Sequence, residues 1–139
     1  MSGATEIKRE IDWRARLIKH VLETANEPFE WGKNDCAMAA ARAVEAMTGV
    51  DYSKEFGSYS DLKTGIKNLR KKGFKDHIEL AASLFEEIPP AFASVGDVAV
   101  LETEDGPALG IVQGEYIYVT TKEGRALVPL TDAKRAFRV

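Results

Sequence analysis

The chain has 139 residues, 19 of them Lys or Arg and 22 Asp or Glu, for a formal charge of −3. That length makes one domain able to build a core without covalent staples, and the mild acidic balance excludes the basic footprint of a nucleic-acid binder. The single cysteine excludes an internal disulfide, and two histidines far from it in sequence do not make a zinc site, so neither a metal nor another cofactor is expected.

Met1 to Thr5 reads as a loose tail. It carries no long apolar run, so no signal peptide is expected, and no later stretch is apolar for long enough to cross a bilayer. Ile11, Ile18, Leu22 and Ala25 recur at helical spacing, with Trp13, Leu17 and Val21 as an adjoining row. They predict a helix from about Glu6 to Ala25, ended by Asn26 and Pro28. His20 lies beside these rows and reads as a surface or partly buried histidine without catalytic duty.

The stretch Trp31-Gly32-Lys33-Asn34-Asp35-Cys36 holds the only cysteine and leads into an alanine-rich segment. Asn34 or Asp35 is suited to cap a helix from about Asp35 to Thr48. Cys36 then falls at the first turn, where the backbone dipole favours a thiolate. Two readings stand side by side: an activated nucleophile, or a small apolar residue packed at a helix start. Cys36, Ala40, Val44 and Met47 share one face, and Gly49 fits a left-handed C-cap.

Ser60 is suited to cap a third helix, from about Asp61 to Lys72, with Leu62, Ile66 and Leu69 as its stripe. Gly73 stops it, and Phe74 can close a Schellman contact on Leu69. Lys67, Arg70, Lys71, Lys72 and Lys75 gather at its end, where they complement the dipole as a solvated face. Residues His77 to Glu87 suit a short helix that Pro89-Pro90 breaks.

From there the period changes from helical to alternating. Asp97 to Leu101, Ala108 to Gln113, Tyr116 to Thr121, Arg125 to Leu130 and Arg135 to Val139 read as strands. Turns at Glu104-Asp105-Gly106, Gly114-Glu115 and Glu123-Gly124 separate the first four. Helices segregated from strands mean α+β. The expected architecture is one domain over residues 1–139. A tail and helix (1–27) and a helical part carrying Asp35-Cys36 (28–95) pack on an antiparallel half-barrel of about five strands (96–139).

Asp35-Cys36 at the head of an alanine-rich helix, Val95-Gly96-Asp97-Val98-Ala99-Val100, and Ala108-Leu109-Gly110-Ile111-Val112-Gln113-Gly114 together resemble the NlpC/P60 branch of papain-like cysteine peptidases. The wider pattern, with Phe29-Glu30-Trp31-Gly32 and Ile88-Pro89-Pro90, resembles uncharacterised phage and prophage proteins of tail modules. The resemblance implies Cys36 as nucleophile, a substrate groove at Trp31, Asp35 and Ala108, and a third polar position at Thr120. It also implies a histidine base where Ala108 stands, and alanine cannot accept a proton. His77, and less so His20, are substitutes that no spacing argument demands. Gln113, Tyr116 and Tyr118 are further candidates to face the groove.

The expected function is a phage or prophage tail-module protein with a peptidase-like fold and little or no hydrolysis, located in the host cytoplasm during assembly or in the virion tail. Its partners are then phage tail proteins or cell-wall peptide, with neither nucleic acid nor membrane involved. The alternatives are an active Cys36-dependent amidase or endopeptidase on cell-wall peptides, and a non-enzymatic adaptor that binds a host protein.

Overall fold

Helix α1 spans Trp13–Glu23 and is shorter than its apolar spacing predicts. The computed structural model describes residues 7–139, so the Met1–Thr5 tail and the expected Glu6 start lie outside the described residues. Glu10 donates its N–H to the Met47 carbonyl at 2.7 Å. That bond holds the segment before α1 to the chain end of the next helix and delays the helix start. The expected stripe is in fact the solvent face: Ile11, Ile18 and Leu22 are exposed. The adjoining row is the one that packs, with Leu17 buried and Trp13 and Val21 half-buried against the core.

Helix α2 (Cys36–Thr48) has the boundaries its caps dictate. Asp35 Oδ1 accepts the Met38 N–H at 2.9 Å, and Gly49 closes the far end at φ +78°. Ala40, Val44 and Met47 are fully buried, so the thin alanine helix lies close against its neighbours. Helix α3 (Leu62–Lys71) is capped by Asp61 rather than Ser60. Asp61 is the extended residue next to the first turn, and its carboxylate takes the Thr64 N–H at 2.7 Å. The Schellman closure is present, with Phe74 donating to the Leu69 carbonyl at 3.0 Å. Helix α4 (His77–Leu84) is capped by Asp76 and ends before the expected limit at Glu87. The chain then enters a short strand, β1 (Glu86–Ile88).

Strands β2 (Val98–Thr103), β3 (Gly106–Val112), β4 (Tyr116–Thr121), β5 (Gly124–Pro129) and β6 (Arg135–Arg138) complete the chain. The sheet order is β1-β6-β2-β3-β4-β5, and every pairing is antiparallel. The expected half-barrel of about five strands is thus an open sheet of six, with β1 and β5 as its edges. The sixth strand comes from the helical two thirds of the chain. Glu86 and Glu87 lie opposite Arg138 and Phe137, and ion pairs from Arg138 to Glu86 and from Arg135 to Glu87 fasten them at 3.1 and 2.8 Å.

Helix α2 lies against β3 and β4, and α1 lies against α2. The main core joins the helices to Val98, Val100, Leu109, Ile111 and Phe137 of the sheet. The alternate residues Ala99, Leu101, Ala108, Val112, Ile117 and Val119 build a second cluster, and Cys36 packs at its margin. Among the described residues no helix is long and apolar enough to cross a membrane.

The pairing of the strands is uneven. The β2–β3 and β4–β5 hairpins pair along their whole length, with Thr103 opposite Gly106 and Thr121 opposite Gly124. Strands β3 and β4, by contrast, pair only at Ile111–Tyr118 and Val112–Ile117. Beyond those two pairs the hairpins part, and Ala108 and Thr120 end up on the walls of a gap.

Candidate functional site

The gap is a cleft of about 400 Å³, and the N-terminus of α2 opens into it. Cys36 is half-buried there, with Ala108 from β3, Thr120 from β4 and Trp31 from the loop before α2. His77, the first residue of α4, lines the same cleft. An adjoining apolar pocket shares Trp31, Cys36 and His77 and adds Asp35 and Tyr59. The fold therefore brings together Cys36, His77, Trp31, Ala108 and Thr120, with Asp35 directly behind them.

The loop is held by a buried carboxylate. Asp35 is 2% exposed and takes three hydrogen bonds: from Met38 N–H at 2.9 Å, Gly32 N–H at 2.8 Å and the Tyr59 hydroxyl at 2.5 Å. It is a structural anchor that caps α2 while tying it to the segment before α3. Burial, followed by the bond to Asp35, pushes the Tyr59 hydroxyl far above its ordinary range, so it stays a donor. Gly32 sits at φ +82°, and a Cβ there would lie 2.1 Å from the Tyr59 carbonyl oxygen. Only glycine fits this crossing of two backbones. Trp31 belongs to the same loop and meets Phe29 edge to face, with ring centroids 4.9 Å apart.

The surroundings of the thiol favour its protonated form. Burial raises Cys36 to about 11, and Asp35 adds to the rise. The backbone amides of Leu109, Ala37 and Cys36 itself act in the opposite sense and are outweighed. A helix start alone does not make a thiolate when the sulfur is desolvated beside a carboxylate.

His77 is 7% exposed, and its Nε2 lies 2.9 Å from the Pro107 carbonyl oxygen. A carbonyl only accepts, so Nε2 carries the hydrogen and Nδ1 keeps the lone pair. Burial lowers the imidazole below its ordinary pKa, against weaker opposing effects of the Pro107 bond, Asp76 and Asp35. Cys36 and His77 thus share a cleft as neutral thiol and neutral imidazole.

The remaining candidates lie elsewhere. His20 lines a separate small pocket between α1, α2 and the sheet, with Gln113, Tyr118 and Arg125. Thr120 borders both that pocket and the cleft. Tyr116 is exposed on another groove, beside Pro129. The expected groove positions Gln113, Tyr116 and Tyr118 therefore lie apart from Cys36. Tyr59 and the two hairpin tips, Glu104-Asp105 and Lys122-Glu123, belong to the site without being expected there. The tips are visible in the sequence as turns, but their meeting depends on the parting of β3 and β4. Among the described residues no group of three or more His, Cys, Asp or Glu side chains is disposed to hold a metal.

A cysteine at a helix start facing a split antiparallel sheet defines an α+β protein with a cleft between its two long hairpins. Residues 8–139 match a family described as a domain of unknown function, DUF6950, and the chain belongs to that family. No curated protein shows significant similarity to it.

Proposed function

We propose that the chain is a phage or prophage tail-module protein on an NlpC/P60-like, papain-like scaffold, and that its Cys36 cleft binds rather than hydrolyses. The observation that carries this reading is Ala108 on the cleft wall, where the resemblance calls for an imidazole. The thiol raised to about 11 supports it, because a neutral thiol is a poor nucleophile. In this reading, substituting Cys36→Ala leaves folding, particle assembly and infectivity intact. Normal particles that lose infectivity through this change alone would overturn it.

One observation favours a second reading, an amidase or endopeptidase that uses Cys36 and His77. His77 lines the cleft, and its Nε2 donates to the Pro107 carbonyl, which leaves Nδ1 as acceptor, the tautomer of a general base. The thiol proton would pass to Nδ1 as sulfur attacks an amide carbonyl, then to the amine as the C–N bond breaks, and water would cleave the resulting thioester to free the acid and restore the thiol. Release of peptide from purified cell wall by the wild type, lost in both Cys36→Ala and His77→Gln, establishes this reading. Absence of release by the wild type ends it.

A further inference from the structure

We propose that the mouth of the Cys36 cleft is a receptor for a basic peptide segment of a partner protein, with lysine or arginine flanking an apolar residue. This rests on the reading of the cleft as a binding groove and names what the groove takes. Two features of the site, from different parts of the chain, agree on that chemistry.

The first is the lining. The floor is apolar and aromatic, from Phe29, Trp31, Leu62, Pro107 and Ala108, whereas the mouth carries the carboxylates of Glu102, Glu104, Asp105 and Glu123. Against these four stands one ammonium, Lys122. Glu102, Glu104, Asp105 and Glu123 are all exposed, so the charge faces the path of an incoming ligand. The basic side chains of Arg70 and Lys75 line an adjoining groove, which shares Leu62, His77, Asp105 and Pro107 with the cleft.

The second feature is Lys122 itself. Its Nζ lies 3.4 Å from Asp105 and 6.0 Å from the centre of the Trp31 ring. A carboxylate beside an aromatic face suits a cation on both counts. The protein's own ammonium already occupies that seat from a hairpin tip, yet it remains half exposed. An exposed pair of this kind contributes little and is readily exchanged. Lys122 thus stands in for the cation of a ligand and competes with it.

The cleft, lined also by the buried His77, is of a matching size. A volume of about 400 Å³ fits one or two side chains with their backbone, at the scale of small-molecule sites.

The test uses the full chain and two peptides, acetyl-Lys-Leu-Lys-amide and acetyl-Glu-Leu-Glu-amide, followed by proton–nitrogen correlation spectra. Shifts from the lysine peptide are expected at Trp31, Cys36, His77 and Lys122, weakening as salt rises. Lys122→Gln should tighten binding roughly two- to fivefold by vacating the seat, and Glu104→Gln with Asp105→Asn should weaken it by at least as much. Both variants change exposed side chains, and unfolding curves check that they fold. The proposal is overturned by an absence of cleft shifts at millimolar lysine peptide, by equal binding of the glutamate peptide, or by affinity unchanged in both variants. Those outcomes leave the question of hydrolysis by Cys36 where the cell-wall assay puts it.

Discussion

Asp97 Oδ1 receives both the Arg9 guanidinium, at 2.9 Å, and the backbone N–H of Val139, at 3.1 Å. Its Oδ2 accepts the Ser94 N–H at 2.9 Å. Arg9 also donates to the carbonyls of Val139 and Val95 at 2.8 and 3.0 Å. One buried carboxylate therefore joins the segment before α1, the turn before β2 and the chain's last residue. Gly96 beside it stands at φ +94°, and a Cβ there would press on Met47 and Arg9. The Gly96-Asp97 pair that carries part of the family resemblance is, physically, this junction. Because removing the buried Asp97 leaves the partly buried Arg9 and the N–H groups of Ser94 and Val139 without their acceptor, Asp97→Ala should cost about 2–4 kcal/mol in urea unfolding. Asp97→Asn, which keeps an acceptor, should cost less. Near wild-type stability for the alanine variant would show that the junction does not hold these three segments together.

Asp35 is expected to matter for folding rather than for proton transfer. Asp35→Ala removes the α2 cap and leaves Tyr59 and the Gly32 amide without their acceptor. The combined loss should be about 2–4 kcal/mol. Gly32→Ala should destabilise by a comparable amount, because the new Cβ meets the Tyr59 carbonyl and the left-handed backbone is strained as well. Chemical denaturation of both variants tests this. A fully stable Gly32→Ala would mean that the two backbones separate without cost.

The elements legible in the sequence are those whose ends are fixed by local chemistry. Asp35 and Gly49 bound α2, Leu69 and Phe74 close α3, and Tyr116 to Thr121 form β4 as their branched and aromatic side chains predict. Where an end depends on a distant partner, the sequence is silent. Strand β1 is a short segment whose extended form comes from pairing with β6, at the far end of the chain. The start of α1 is set by a bond from Glu10 to Met47. Cys36 is legible as a position but not as an environment. The burial that decides its pKa, and the approach of His77 from α4, come from packing that no local spacing encodes.

Stability should fall on mild acidification. A histidine whose folded pKa is depressed binds its proton more readily when unfolded, so its contribution is complete above about pH 6.5 and erodes as pH drops below it. His77 is in this state chiefly through burial. So is His20, through burial and then the nearby Arg42 and Arg125. Unfolding midpoints between about pH 7.5 and 5 should therefore decline in the wild type and decline less in His77→Gln. A wild-type curve that rises toward the acid end would contradict the burial of both imidazoles.

The state of the thiol is directly measurable. With Cys36 raised to about 11, iodoacetamide should label the folded chain slowly at about pH 8 and faster up to about pH 11, whereas a free cysteine levels off above about pH 8.5. Because Asp35 adds to the rise, Asp35→Asn should shift the profile downward by a fraction of a pH unit, while burial keeps it above the free value. The signature of the alternative is different in shape. A thiolate paired with a charged His77 would label rapidly below about pH 7, and His77→Gln would abolish that plateau. A wild-type plateau of this kind would reverse the order of the two functional readings, since it requires the imidazole to hold a proton that burial now denies it.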